Sequence, residues 1–170
     1  MTIGQSHTVF HFLAAAAAKK RVFDVIVTEN APSYDGHAMA AALSKANIST
    51  TLIADASAYA IMSRVNKVVI GTHAVMANGS LVAPVGTHMV AMAAKKHSVP
   101  VVVCCGIYKL TPQYPLDQYS FNQRCNPSEI IPYEDGSYLD NVLVVNPAFD
   151  YVPQELIDLF VTNSGTHNPS

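Results

Sequence analysis

The sequence predicts a three-layer α/β domain with a mainly parallel sheet. Segments with helical apolar spacing alternate at least three times with short, almost continuous apolar runs, the pattern of strands covered by helices on both faces. The chain has 170 residues, enough for one domain with a full core but too few for two comfortable ones. Half of the residues are hydrophobic and 13% are charged, so we expect apolar surface that is buried against other chains.

The N-terminal part of the chain supplies two helices and two strands. Apolar residues recur at helical spacing in residues 6–19 and in residues 37–46, which predicts a helix in each segment. Residues 22–28 and 50–54 are almost continuously apolar and predict strands. The chain therefore begins with a helix, a strand, a helix and a strand.

The same alternation continues in the middle of the chain. Asp55 is placed to cap the N-terminus of a short helix that ends at Met62. Residues 67–71 predict a third strand, and residues 99–105 predict a strand so apolar that it lies in the centre of the sheet. The connections between parallel strands are expected to be right-handed crossovers.

A helix is predicted between these two strands, over residues 86–97. Its spacing directs Met89, Met92 and Ala93 toward the core.

The alternation lapses beyond Gly106. Residues 106–129 contain three prolines and four aromatic residues without periodicity, which predicts a long loop of the kind that carries a function or an interface. A strand is predicted over residues 142–145. A final helix is predicted to open at Pro153, with Glu155 in its first turn.

Charge is distributed unevenly along the chain. Residues 1–110 carry a balance of +5 and residues 111–170 a balance of −7. The opposite electrostatic fields of these two regions could orient protein partners, although solvated loops in the C-terminal third would give the same charge pattern. The total of −2 gives no electrostatic drive toward nucleic acid, and the longest apolar stretch, residues 12–18, is too short to cross a bilayer. We therefore expect no direct nucleic-acid partner and no membrane partner.

Cysteine and histidine spacing indicates neither a disulfide framework nor a metal site. Cys104 and Cys105 are expected on opposite faces of a buried strand as inert core thiols, and with Cys125 they are most simply the reduced thiols of a cytoplasmic protein. His7 and His11 have a spacing that suits a metal, but no third ligand accompanies them. We predict no metal and no cofactor, and we identify no targeting segment.

Candidate site residues follow the predicted strands, at the sheet edge where open α/β sheets bind ligands. Sequence motifs for dinucleotides, P-loop phosphates, serine-hydrolase elbows and zincins are absent. The polar residues at this edge are Glu29 with Asn30, His73, Asn78 with Gly79, and Gly86 with Thr87 and His88.

Two of these positions allow more than one interpretation. The free amides of a helix beginning at Gly86 and Thr87 would favour a phosphate or carboxylate, but Thr87 could instead cap the helix while Gly86 makes the turn. His73 could be a base, an anion ligand or a hydrogen-bonded loop residue.

Three segments resemble one superfamily. Residues 66–80 (NKVVIGTHAVMANGS), followed by residues 85–87, resemble the central motif shared by the regulatory subunits of eukaryotic translation initiation factor 2B and methylthioribose-1-phosphate isomerase. Residues 27–32 (VTENAP), with Gly36, resemble its first substrate-loop motif, and residues 149–157 (FDYVPQELI) resemble its C-terminal signature. The resemblance covers essentially the whole chain and is closest to the beta class of the regulatory subunits. It implies a Rossmann-like fold and a single domain over residues 1–170 of a longer subunit, with an N-terminal helical region preceding it.

The resemblance also implies departures from the isomerases. Those enzymes have a catalytic cysteine at the position of Gly4, a catalytic aspartate at the position of His73, and an Asn-Lys pair at the positions of Ala83 and Pro84. Glycine has no group that moves a proton, and proline has neither a charge nor an amide hydrogen, so we predict that the chain is not an enzyme. The residues expected to remain as a vestigial pocket for a small anion are Gly4, Glu29, Gly36, His73, Asn78, Gly79, Gly86 and Thr87.

The function that the resemblance implies is that of a non-catalytic regulatory subunit of the guanine-nucleotide exchange factor for initiation factor 2. The implied partners are the delta and alpha regulatory subunits, a second beta–delta pair, the catalytic gamma and epsilon subunits, and the alpha subunit of initiation factor 2, whose phosphorylation the assembly senses. The expected interface comprises the C-terminal ends of the strands, the loop after Gly106 and the last helix. The alternative is a sugar-phosphate isomerase of the methylthioribose-1-phosphate type, or a sugar-phosphate sensor.

Overall fold

A computed structural model describes residues 1–114, 122–132 and 141–169 of the chain. Part of the loop predicted over residues 106–129 lies outside these described residues. Within them, the helices are α1 (His7–Ala18), α2 (Asp35–Lys45), α3 (Ala58–Ile61) and α4 (Thr87–Lys96). The strands are β1 (Thr2–Ile3), β2 (Val25–Thr28), β3 (Thr50–Ile53), β4 (Val68–Gly71), β5 (Ala74–Val75), β6 (Leu81–Pro84), β7 (Val101–Cys104), β8 (Phe149–Val152), β9 (Leu159–Thr162) and β10 (Gly165–His167).

The main sheet is parallel except at one edge. Strands β1, β2 and β3 pair in parallel, as do β4, β7 and β9, and β10 closes the second group as an antiparallel edge strand. The two groups adjoin through β1 and β4, because the Met1 amino group donates to the Lys67 carbonyl at 2.8 Å and the Val69 amide donates to the Met1 carbonyl at 2.9 Å. The resulting order, β3-β2-β1-β4-β7-β9, is that of a doubly wound fold.

Helices cover both faces of this sheet. On one face, Val9 and Leu13 of α1 join Leu43 of α2 in a buried cluster. On the other face, Val90 and Ala94 of α4 belong to a second cluster. The predicted three-layer α/β class and its Rossmann-like, mainly parallel sheet are confirmed.

Strand β4 illustrates why its sequence is apolar throughout. Val69 belongs to the cluster beneath α1 and α2, whereas Val68 and Ile70 belong to the cluster beneath α4. Successive side chains of a strand point to opposite faces, so a strand covered on both sides needs apolar residues at every position. Strand β7, which lies between β4 and β9, is buried at every residue, as predicted for the centre of the sheet.

The inward face of α4 differs from the prediction. Ala93 is buried as expected, but Met89 and Met92 are 39% and 52% exposed. Val90 and the small residues Ala91 and Ala94 face the sheet instead. Short side chains let the helix backbone approach the strands closely, and the longer methionines are left outside.

The strand predicted over residues 142–145 is wrong. This segment is irregular, and Val142, Leu143 and Val145 are 53%, 87% and 49% exposed. Their apolarity does not reflect burial within this chain, because no described strand pairs with them.

The helix predicted to open at Pro153 is also wrong. Residues Gln154–Leu156 form a single 3-10 turn, and the chain then enters β9 beside β7. Asp158 fixes this entry, because its carboxylate accepts the Val101 amide at 2.7 Å while its own amide donates to the Val101 carbonyl at 3.0 Å. Burial of Phe160 against the sheet outweighs the local signals for a helix N-terminus.

Strands β5, β6 and β8 form a separate antiparallel sheet, with β6 in the middle. β6 leads directly into α4, and β8 pairs with β6 along the full length of both strands. This small sheet therefore sets the position of the α4 N-terminus.

Candidate functional site

A cavity of about 350 Å³ opens at the carboxyl ends of β1 and β4. Because β1 and β4 are neighbours whose chains continue to opposite sides of the sheet, this is the switch point at which doubly wound folds bind ligands. Its polar lining residues include Ser6, His7, Thr72, His73 and Lys109.

Three elements shape this cavity. Ser6 is the N-cap of α1, and its hydroxyl accepts the Val9 amide at 3.4 Å. Lys109, from the turn after β7, donates from Nζ to the Thr72 carbonyl at 2.6 Å, which ties that turn to the end of β4. His73 is exposed, and its ring lies 4.8 Å from the ring of Phe149.

The predicted pocket residues fall in different places. His73 lines the switch-point cavity, and Gly4 lies in the turn between β1 and α1 with φ +57°. Glu29 and Gly36 lie together at the end of β2, where the Gly36 amide donates to the Glu29 carbonyl at 3.0 Å. Glu29 also lies 3.8 Å from His37 (Oε2 to Nε2).

Asn78 and Gly79 line another cavity. They lie in the turn between β5 and β6, beside a largely apolar space of about 540 Å³. The structure therefore brings Glu29 to Gly36 and His73 to the switch point, but it places Asn78 and Gly79 elsewhere.

The N-terminus of α4 is bonded to a carboxylate of the same chain. Oδ2 of Asp150, on β8, accepts the amides of Gly86 and His88 at 2.8 and 3.0 Å. Negative charge is favoured there because these amides carry the positive end of the helix dipole. Asp150 thus binds the amides that, in the first of the two interpretations, would bind an external phosphate or carboxylate.

Thr87 does not cap this helix. Gly86 is the N-cap with φ +90°, while the buried Thr87 hydroxyl donates to the Pro84 carbonyl at 2.6 Å. The second interpretation of this segment is therefore half right: the turn at Gly86 is confirmed, and the cap at Thr87 is wrong.

Substitution of Gly86 by alanine tests the backbone requirement at this turn. The left-handed φ disfavours any side chain, and a Cβ would lie 3.0 Å from Cδ1 of Ile3. We expect Gly86→Ala to lower the free energy of unfolding by about 1–2 kcal/mol. Urea unfolding followed by circular dichroism measures this, and an unchanged midpoint and slope would contradict it.

Asp55 has a different role from the predicted helix cap. Its two carboxylate oxygens accept the amides of Asn30 and Ala31 at 2.9 and 2.7 Å. The turn that follows β3 begins at Ala54, without a side-chain cap. Because β2 and β3 are parallel neighbours, Asp55 lies beside the segment that leaves β2. Its two hydrogen bonds hold the residues that connect Glu29 to α2.

Cys104 and Cys105 lie on opposite faces of the sheet, as predicted. Burial raises the pKa of the Cys104 thiol to about 11 and also raises the pKa of Cys105. Thiolate, the reactive form, is therefore scarce on both residues at neutral pH.

Cys125 is more exposed than the buried Cys104 and Cys105, and this difference in exposure predicts the order of alkylation. Iodoacetamide at pH 8 should modify the partly exposed Cys125 first in the folded chain, and all three thiols should react at similar rates in urea. Mass spectrometry of digested samples measures the order. Modification of Cys104 as fast as that of Cys125 in the folded chain would contradict the buried assignment.

The part of the chain that the structure describes has neither a candidate metal site nor a candidate membrane-spanning helix. It contains no group of three histidine, cysteine or acidic residues that could hold a metal ion. None of its helices combines the length and apolarity that crossing a membrane requires.

The strand order and the switch-point cavity define a class, the doubly wound α/β domains whose site lies at the carboxyl edge of a parallel sheet. Within that class the chain belongs to the initiation factor 2 subunit family, whose model matches residues 1–169. This match confirms the family that the sequence motifs indicated, and two relatives named as subunit beta confirm the resemblance to its beta class.

Named relatives are similar along the whole chain. The chain is 58% identical over 170 residues to translation initiation factor eIF2B subunit beta of Dictyostelium discoideum and 50% identical over 172 residues to that of Schizosaccharomyces pombe. In both comparisons it is covered completely and spans 44% of the relative. It is also 35% identical over 166 residues to ribose 1,5-bisphosphate isomerase of Pyrococcus furiosus, with 94% of this chain and 51% of the relative covered.

Solved structures share the fold. The structure of eIF2B beta from Chaetomium thermophilum matches with a TM-score of 0.71 and 31% identity, covering 99% of this chain and 46% of that one. The structure of eIF-2B subunit delta from A. fulgidus matches with a TM-score of 0.87 and 22% identity, covering 99% of this chain and 52% of that one. The second likeness concerns the fold alone.

Proposed function

We propose that this chain is a domain of a non-catalytic regulatory subunit of the guanine-nucleotide exchange factor for translation initiation factor 2. The observation that carries the proposal is the 58% identity, over the complete chain, to a protein named as subunit beta of eIF2B. The chain spans 44% of that relative, and the proposed unit is a single domain over residues 1–170 of a longer subunit.

The proposed role is assembly in the cytoplasm. The partners are the delta and alpha regulatory subunits, a second beta–delta pair and the catalytic gamma and epsilon subunits. The assembled core receives the alpha subunit of initiation factor 2 and senses its phosphorylation. This chain contributes through contacts with sister subunits rather than through catalysis.

Exposed apolar side chains after β7 support the assembly role. Tyr108, Leu110 and Tyr114 are 80%, 58% and 63% exposed, and they lie in the segment that follows Gly106. The low overall charge fits the same role, because permanent interfaces are more hydrophobic than free surfaces.

The residues at the positions that correspond to the catalytic groups of the isomerases support a non-catalytic role. Gly4 has no side chain, and Pro84 lines the cavity without a charge or an amide hydrogen. His73, the remaining titratable group among the replaced positions, lies against the apolar ring of Phe149. A proton transfer between substrate carbons needs a positioned acid and base, and these positions do not supply the pair.

Co-expression tests this proposal. The chain, within its full-length subunit, should co-purify with delta-type and alpha-type subunits, and native mass spectrometry should give a defined hetero-oligomer. The double change Tyr108→Ser with Leu110→Asp should weaken assembly, whereas Ala41→Asp, on the exposed face of α2, should not. A monodisperse monomer that binds no delta-type partner would refute the proposal.

A sugar-phosphate function is the second candidate, favoured by the 35% identity to ribose 1,5-bisphosphate isomerase. Turnover of ribose 1,5-bisphosphate or of methylthioribose 1-phosphate would establish an enzyme. Thermal stabilisation that grows with ligand concentration, without turnover, would establish a sensor. Calorimetric titration with no heat at millimolar ligand would exclude both.

A further inference from the structure

The turn between β5 and β6 contains a chemically labile dipeptide, Asn78-Gly79. Glycine has no side chain to hinder attack by its own backbone nitrogen on the preceding side-chain amide, so asparagine followed by glycine deamidates readily in unfolded chains. Gly79 has φ +78°, a conformation that glycine adopts without strain. Asn78 and Gly79 belong to the ligand pocket expected from sequence, but they lie in a turn away from the switch-point cavity.

Hydrogen bonds hold both reacting groups of this dipeptide. Asn78 Oδ1 accepts the amide of Ser80 at 3.2 Å and also the Ser80 hydroxyl. Asn78 Nδ2 donates to the Tyr151 hydroxyl, 3.1 Å away on β8. The amide of Gly79, the attacking nitrogen, donates to the Met76 carbonyl at 2.9 Å.

We propose that Asn78 is a latent deamidation site that the folded turn protects, with Tyr151 as the residue outside the turn that holds its amide in place. In the reaction, the Gly79 nitrogen loses its proton and bonds to Cγ of Asn78. The Cγ–Nδ2 bond breaks, Nδ2 takes up a proton in place of the one lost from Gly79 and leaves as ammonia, and a cyclic succinimide forms. Water then opens the ring to aspartate or to β-aspartate.

The geometry explains the protection. Attack on Cγ must displace the side-chain oxygen from Ser80 and the side-chain nitrogen from Tyr151. Deprotonation of Gly79 also breaks the bond to Met76. Reaction therefore requires local opening of the turn, and its rate follows the population of the open form.

The product would disturb the small sheet. β-Aspartate adds a methylene group to the backbone of a turn that sets the register of Val75 opposite Leu81. A carboxylate at position 78 has no proton to donate, so the hydrogen bond with Tyr151 would reverse, with the tyrosine hydroxyl as donor. The longer backbone of β-aspartate would thus alter the link between the turn and β8.

Deamidation of Asn78 can be measured in a single tryptic peptide. The tryptic peptide of residues 68–95 contains Asn78 as its sole asparagine and has no glutamine, so any mass gain from amide hydrolysis in that peptide reports on Asn78. The full chain is incubated at mildly alkaline pH, folded and in urea, and the peptide is analysed over time. Digestion with a protease that cleaves before aspartate but not β-aspartate separates the two products.

Folded wild-type chain should deamidate at Asn78 about tenfold or more slowly than chain in urea. Tyr151→Phe should accelerate the folded chain about two- to tenfold, the effect of losing one hydrogen bond. Ser80→Ala should also accelerate it, which keeps the test decisive if Tyr151→Phe does not fold. Tyr108→Phe, which changes an exposed tyrosine outside the turn, should leave the wild-type rate unchanged.

Equal rates for the folded and unfolded chains would overturn the protection. Wild-type rates in the folded Tyr151→Phe and Ser80→Ala variants would overturn the roles of the side-chain hydrogen bonds. Equal acceleration by Tyr108→Phe would overturn the assignment to Tyr151.

Discussion

Gly36→Ala should abolish or severely weaken folding of this domain. A Cβ built on Gly36 would lie 2.0 Å from the Thr28 carbonyl oxygen and 2.8 Å from Cα of Glu29, both of them backbone atoms. Backbone of a buried strand cannot move aside, so α2 must shift away from β2 and withdraw Met39 and Leu43 from the core. We expect a loss of roughly 3–5 kcal/mol, a large part of the stability of an ordinary domain.

Gly106→Ala is the matched control for this substitution. A Cβ on Gly106 would also meet an atom at short range, 2.2 Å away, but that atom belongs to the side chain of Tyr108. Tyr108 is 80% exposed and can rotate into solvent. Urea unfolding of both variants separates the cases: Gly106→Ala should unfold near the wild-type midpoint, and equal midpoints for the two variants would contradict the backbone argument.

The alternation of helices and strands could be predicted from sequence because it reflects burial on both faces of the sheet. The helix over residues 6–19 and the strand over residues 67–71 fall within a few residues of α1 and β4. Apolarity alone was insufficient at residues 142–145, where the side chains are exposed. Local capping signals were insufficient at Pro153, because pairing with β7 requires a strand.

Local sequence patterns do not predict the contacts that shape the candidate site, because these contacts join residues that are far apart in the sequence. Asp55 bonds to Asn30 across 25 residues of sequence, and Asp150 bonds to Gly86 across 64. A parallel sheet brings the ends of distant strands together, so the partner of each carboxylate depends on strand order. The helix N-terminus at Gly86 could be predicted from sequence, but the carboxylate that accepts its amides could not.

Asp150→Ala should destabilise the α4 N-terminus and its link to the small sheet. The substitution removes the acceptor of two amides, Gly86 and His88, and the negative charge that faces the helix dipole. Charge-assisted hydrogen bonds of this kind stabilise by about 1.5–3 kcal/mol, so we expect a loss of about 2–3 kcal/mol.

Two further variants distinguish the charge from the hydrogen bonds. Asp150→Asn keeps an oxygen acceptor without the charge and should lose about 1 kcal/mol. Glu155→Ala removes an exposed carboxylate of the same C-terminal segment and should be nearly neutral. Urea unfolding ranks the three, and hydrogen exchange at Gly86 and His88 should accelerate in Asp150→Ala before exchange in β7 does. If Asp150→Ala and Glu155→Ala unfold alike, the carboxylate does not anchor the helix, and the α4 N-terminus is held by the pairing of β6 with β8 alone.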